Sequence, residues 1–198
     1  ALAAAGLDDV LGLWSGLGYY SRARNLHACA VQVVALHDGE FPRTAAQLQA
    51  LPGIGPSTAA AIASICYGER VAILDGNVKR VLTRVLGYGA DLAQGTNERA
   101  LWQLATELLP QRDLHNTMPR YTQGVMDLGA TVCLPRKPAC TACPAAGFCV
   151  ALRENRPEHY PVKTRKLKRT AQSLWLLWAH TRDGAVWLRR RPTPGVWA

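Results

Sequence analysis

LPGIGPSTAAAIAS (residues 51–64), followed at a short distance by ILDGNVKRVLTR (residues 73–84), is the stretch on which the fold turns. Gly53 and Gly55 are separated by one residue, which allows positive φ and keeps main-chain amides clear of side chains. A helix starting near Pro56 comes next, and the positive end of its dipole favours an anion. Leu51, Gly53 and Gly55 are therefore candidate contacts for a backbone phosphate, bound without reading base sequence. The same residues also suit a tight helix-to-helix turn with no ligand. Asp75 ends an apolar run, Val71 to Leu74, just before another helical pattern. It reads first as an N-cap, and a functional carboxylate there is compatible with that role.

Working outward, apolar residues recur at helical spacing through 11–17, 26–36, 45–51, 59–67, 78–86, 101–109 and 121–132. Gly16 and Gly18, Pro52 to Pro56, Gly68, Gly87, Gly89 and Pro110 fall where such helices should stop. Thr44 and Thr96 are the expected N-caps. The pattern predicts an all-α domain with short connections. After Cys133, Pro and Cys replace the periodicity. Residues 174–179 and 185–188, with a turn at Asp183 and Gly184, predict two strands of a hairpin that opens a second domain.

The chain has 198 residues, room for about one or two domains, and a net charge of +9. Such a charge points to a polyanionic partner. The charge is unevenly placed. Residues 1–162 hold 14 basic and 13 acidic side chains, whereas residues 163–198 hold nine and one. A basic run such as Lys163 to Arg169 is most often a solvated linker, so nucleic-acid binding by the body has to rest on motifs. No apolar run approaches the roughly 18 residues of a membrane span. Residues 1–13 are Ala-rich but carry Asp8 and Asp9 and no basic flank, unlike a secretory signal. The location is expected to be cytoplasmic, bacterial and nucleoid-associated, or is left open. The first residue is Ala, and the chain reads as a processed or truncated piece.

Cys133, Cys140, Cys143 and Cys149 follow the spacing C-x6-C-x2-C-x5-C. Four thiols this close, with no sign of secretion, argue for a metal site over disulfides. Zinc and a [4Fe-4S] cluster both accept four thiolates, and spacing does not choose between them. Arg136 and Lys137, between the first two ligands, are candidate phosphate contacts. Cys29 and Cys66 lie on helical apolar faces and read as core thiols. In GLGYYSRARN (residues 16–25) Tyr19 and Tyr20 follow a Gly-rich turn. An aromatic side chain there can fill the hole left by an extruded base while Arg22 neutralises phosphate. A core Tyr with solvated arginines is the plainer alternative, and Trp14 reads as core.

Together these segments resemble the helix-hairpin-helix base-excision DNA glycosylases with a Gly/Pro-Asp loop, and are close to the MutY-type adenine DNA glycosylases. The resemblance covers nearly all of residues 1–150. It implies a helix-hairpin-helix core over residues 1–132, an iron-sulfur loop over 133–155 and a basic linker over 156–172. Residues 173–198 resemble the start of a Nudix-like α+β domain. The resemblance makes Asp75 the carboxylate that stabilises an oxocarbenium-like sugar, with Asn77 helping to order the site. It chooses a [4Fe-4S] cluster for the four cysteines. It makes Tyr19 the wedge beside the opposite base and Tyr20 a packing residue, an order that could be reversed. Ser57 stands where bifunctional relatives of endonuclease III type place Lys, and a hydroxyl cannot form an imine. The implied activity is monofunctional hydrolysis of adenine opposite 8-oxoguanine or guanine, by a monomer acting on double-stranded DNA. A second carboxylic acid, a Glu that protonates the leaving base, is expected upstream of GLGYY. No Glu precedes Leu17, so the chain by itself is expected to bind DNA weakly without turnover. The competing expectations are an endonuclease III type lyase and a non-catalytic DNA-binding Fe-S module.

Overall fold

The computed structural model of the chain describes residues 1–164, 171, 173, 175 and 177–188. The Lys/Arg run at 165–169 and the tail beyond 188 lie outside the described residues. Among the described residues eight α-helices carry the body: α1 (Leu7–Leu13), α2 (Tyr20–His37), α3 (Ala45–Leu48), α4 (Pro56–Tyr67), α5 (Gly76–Leu86), α6 (Gly95–Glu107), α7 (Leu114–Asp127) and α8 (Val150–Arg153). None is long and apolar enough to cross a membrane.

Helix α4 is the centre of the packing, and its sequence explains why. Its alanines let neighbours approach on two sides. Ala59 and Ala63 join Cys29, Val33, Leu48 and Leu51 in one apolar cluster. Ala60 joins Leu74, Val78, Leu82, Leu101 and Met118 in the other. Ser64 adds a polar tie to α7, its hydroxyl lying 2.5 Å from Thr122 Oγ1 and donating to the Met118 carbonyl at 3.3 Å. Cys29 is buried as expected, and burial pushes its thiol pKa up. Cys66 is exposed, which corrects its assignment to the core: it sits at the end of α4, past the packed face.

Several boundaries differ from the periodicity. Helix α2 begins at Tyr20 rather than near Leu26, because its first turns are Ser, Arg and Asn and carry no apolar signal. Thr44 caps α3 as expected, accepting from Gln47 N. Thr96 caps nothing: α6 starts at Gly95 with Gln94 at the N-cap position and no side-chain cap bond. The run to residue 132 is one helix ending at Asp127, followed by a π-helical turn, Leu128–Val132. Of the expected β-hairpin, residues 174 and 176 lie outside the described residues. Among the described residues there is a single antiparallel bridge, His180 to Val186, around a turn with Gly184 at φ +89°.

Past the cysteine loop, α8 packs on α5. Gly87 closes that contact, since a Cβ there would lie 2.4 Å from Val150 Cγ1. The chain then returns across the body. Leu92 N donates to Val162 O at 3.0 Å, and Thr164 bonds the Asp91 carboxylate through its amide and its hydroxyl. Those bonds, the Thr164 hydroxyl first, hold the Asp91 carboxyl below its ordinary pKa.

Candidate functional site

The hairpin between α3 and α4 separates its two glycines. Gly53 has φ +76°, and an added Cβ would lie 2.5 Å from Asn25 Cβ, so this residue is pressed against α2. Gly55 is the N-cap of α4 with φ −81°, a conformation open to any residue, and nothing lies within 4 Å of the position its Cβ would take. The expectation of positive φ therefore holds for Gly53 alone. Gly55 is the one whose missing side chain leaves open space at the helix start. Leu51 is buried in the core, so its side chain anchors the turn and is not offered to a ligand.

Helix α4 places Ser57 in its first turn, where Ser57 Oγ accepts from Leu74 N at 3.2 Å. That bond ties the hairpin helix to the residue before Asp75. Asp75 is the N-cap of α5, its Oδ1 accepting from Val78 N at 2.7 Å. The other carboxylate oxygen has no hydrogen-bond partner among the described residues, and the side chain is half-buried. The fold thus presents a carboxylate fixed by one oxygen and free at the other, one residue after the amide that Ser57 holds.

Two residues not singled out from the sequence prove central. Arg80 and Arg84, one turn apart on α5, are 9% and 2% exposed. Arg80 Nε donates to Cys133 O at 2.7 Å, and its Nη2 donates to Gly129 O at 2.7 Å and to Asn77 Oδ1 at 3.0 Å. Gly129 makes this possible, since a Cβ there would lie 2.8 Å from Asn77 Cβ. Asn77, two residues from Asp75, is thereby held through Arg80 to the start of the cysteine loop. Arg84 donates to Leu134 O, Pro135 O and Tyr160 O, and its Nη1 lies 3.3 Å from Cys133 Sγ. Their sequence signal was weak: cations in an amphipathic helix usually face water, and their partners lie some fifty residues away.

Cys133, Cys140, Cys143 and Cys149 line one narrow cavity together with Val81, Arg84, Val85, Leu128 and Leu152. All four are free thiols. Cys140 is pushed above its ordinary pKa first by burial and then by the charges of Cys149, Cys133 and Cys143. Among the described residues no three such side chains converge as they would around a single ion. The four thiols line one shared space. Arg84 contributes the matching charge. A buried guanidinium is costly unless compensated, and among the described residues no carboxylate pairs with it. Its partners are three carbonyls and the Cys133 sulfur. The residues present fit an anionic four-thiolate cluster.

Tyr19 is 82% exposed and left-handed, with φ 47° and ψ 54°, at the N-cap of α2. A non-Gly residue in that region costs about 1–2 kcal/mol. Exposure and strain together are costs that folding does not explain, and such costs concentrate at functional sites. Tyr20 is half-buried in the first turn of α2. Trp14 is not core. It is partly exposed, donates Nε1–H to Gly18 O at 3.0 Å, and carries Arg22 over its ring with Cζ 5.6 Å from the centroid. Arg136 and Lys137 are exposed on the cysteine loop, and Lys137 has φ 47° with its amide donating to Glu158.

A helical body with this hairpin, a capping Asp on the following helix and a four-cysteine loop packed beneath it is a helix-hairpin-helix protein of the DNA repair class. Residues 1–107 match the model of the HhH-GPD superfamily base excision DNA repair proteins, and the chain belongs to that family. It is 39% identical over 191 residues to an adenine DNA glycosylase of Buchnera aphidicola (subsp. Acyrthosiphon pisum), covering 96% of this chain and 53% of that protein. It is 47% identical over 152 residues to the human adenine DNA glycosylase, covering 76% of this chain and 27% of that one. The chain thus spans about half of the Buchnera relative and about a quarter of the human one. Its fold matches a thermostable thymine-DNA glycosylase at TM-score 0.63 and 28% identity, over 77% of this chain and 69% of that one. An endonuclease III in a non-covalent DNA complex matches at TM-score 0.61 and 23% identity, over 78% and 69%, a likeness of fold alone.

Proposed function

We propose that the chain carries the hydrolytic core of an adenine DNA glycosylase, releasing adenine opposite 8-oxoguanine or guanine in double-stranded DNA and leaving an intact strand. The observation that carries this reading is the half-free Asp75 carboxylate, fixed through one oxygen by Val78 N and preceded by Leu74, whose amide donates to Ser57 of the hairpin helix. Breaking an N-glycosidic bond develops positive charge on the sugar, and a preorganised carboxylate stabilises it. The bond from Val78 N fixes one Asp75 oxygen, so the other needs no reorganisation to meet the sugar. The Ser57 hydroxyl, engaged with Leu74 N, cannot form the imine that precedes strand cleavage. Two other carboxylates are already in use. Glu69 accepts from Ala45 N at the start of α3, and Glu98 pairs with Lys79.

Exposed Tyr19 would fill the stack beside the lesion, with Arg22, Arg136 and Lys137 at phosphates and the Gly53 and Gly55 amides at the backbone. Cys133, Cys140, Cys143 and Cys149 would hold a [4Fe-4S] cluster. When bound, it would cross-link the loop that Arg80 and Arg84 fasten to α5. The protein would act as a monomer at the bacterial nucleoid.

The test is a chimera in which residues 1–162 replace the matching region of the Buchnera relative, assayed on a labelled duplex holding adenine opposite 8-oxoguanine. Alkali-dependent strand breaks with no borohydride-trapped adduct are expected. A covalent adduct would instead identify a lyase. Iron and sulfide analysis of anaerobically purified protein tests the cluster, and stoichiometric zinc would contradict it.

A further inference from the structure

The proposed DNA contacts come from two separate segments, the start of α2 and the turn before α4. One side chain lies between them. Asn25, exposed on α2, occupies the place where a Gly53 side chain would go: its Cβ, Cγ and Nδ2 would lie 2.5, 3.0 and 3.0 Å from an added Cβ. Beside this contact, a cleft of about 490 Å³ is lined by Trp14, Arg22, Asn25, Pro52, Gly53 and Ile54, residues of the same two segments. At its other end Trp14 fixes the turn before Tyr19 through Gly18 O and supports Arg22. No hydrogen bond to another described residue holds the Asn25 carboxamide, so its contribution is shape.

We propose that Asn25 is a positioning residue that sets the distance between Tyr19 and the hairpin amides, so that one duplex meets both at once. The inference rests on the reading of the chain as a DNA glycosylase. Two contacts on one rigid ligand reinforce each other only when their spacing matches the ligand's. A displacement of about 1 Å in a positioning element is enough to lose that match. Gly53 faces Asn25 without a side chain of its own, so bulk added at position 25 moves the turn directly. A β-branched residue places a second γ atom there and is stiff about χ1.

The test measures anisotropy of a fluorescent duplex bearing 2′-fluoro-2′-deoxyadenosine opposite 8-oxoguanine, titrated with the chain and its variants. Asn25→Ile is expected to weaken binding at least tenfold with far-UV circular dichroism unchanged, and Asn25→Ala by less than about threefold. In the parent, Tyr19→Ala should cost at least fivefold; in the Asn25→Ile background it should cost less than twofold, because the paired contact is already lost. Equal losses from Tyr19→Ala in both backgrounds would overturn the spacer role, as would unchanged binding by Asn25→Ile. Where the parent chain by itself binds the duplex too weakly to titrate, the chimera carrying residues 1–162 takes its place, and failure of that chimera to bind counts against the glycosylase reading. The amide resonances of Tyr19, Gly53 and Gly55 then decide the spacer: they should shift together in Asn25→Ile, and unshifted signals would refute it.

Discussion

Replacing Arg80 by Leu removes the donor for Cys133 O, Gly129 O and Asn77 Oδ1 in one step. A buried cation can sometimes be exchanged for an apolar side chain at little cost, but only when its partners change with it. Here two partners are main-chain carbonyls that stay in place. Each buried acceptor left unpaired costs about 1–3 kcal/mol, and the 9% exposure of Arg80 admits little water to relieve them. The expected loss is about 3–5 kcal/mol. At roughly 2–4 °C per kcal/mol for a chain of this size, the melting midpoint should fall by about 6–20 °C. Arg80→Lys should recover only part of this, because an ammonium lacks the planar fork that reaches three acceptors. Calorimetry of the three proteins, with iron content measured in parallel, tests the reasoning. A midpoint within about 2 °C of the parent for Arg80→Leu would refute it.

Asp75→Asn should leave stability within about 0.5 kcal/mol, since Asn caps helices as well as Asp, while adenine release by the chimera drops at least ~10²-fold; thermal melts and single-turnover rates check both halves. Tyr19→Gly relieves a left-handed residue, so stability measured by thermal melts should be unchanged or rise by up to about 1 kcal/mol, yet duplex binding should weaken by the ~1–3 kcal/mol of a lost aromatic stack. Gly55→Ala fits its φ of −81° and meets no atom within 4 Å, so the fold should be within about 1 kcal/mol of the parent while a phosphate loses its approach. Anisotropy titration should show at least a fivefold loss of duplex affinity, and full retention would remove Gly55 from the interface.

Much of the fold was legible because its signals are local. Helical spacing marks α4, α5 and α7, and glycines mark several of their ends. Asp75 reads as a cap before α5 from position alone. Other features depend on contacts that no short window contains. The polar first turns of α2 hide its start at Tyr20, and left-handed Tyr19 has no sequence signature. Arg80 and Arg84 look like surface charge until the π-helical turn at Leu128–Val132 and the cysteine loop close over them. Gly53 and Gly55 look equivalent in sequence. Only the fold separates them: Asn25 packs against Gly53, and nothing lies within 4 Å of the Gly55 Cβ position.

The most direct test of the glycosylase reading is the identity of the base set free. The chimera carrying residues 1–162 is incubated in excess over duplexes bearing adenine opposite 8-oxoguanine, adenine opposite guanine, or thymine glycol opposite adenine, and the released bases are separated and weighed by mass spectrometry. Free adenine from the first two duplexes, abolished by Asp75→Asn, is the expected result. Release of thymine glycol, or adenine release that persists in Asp75→Asn, would contradict it.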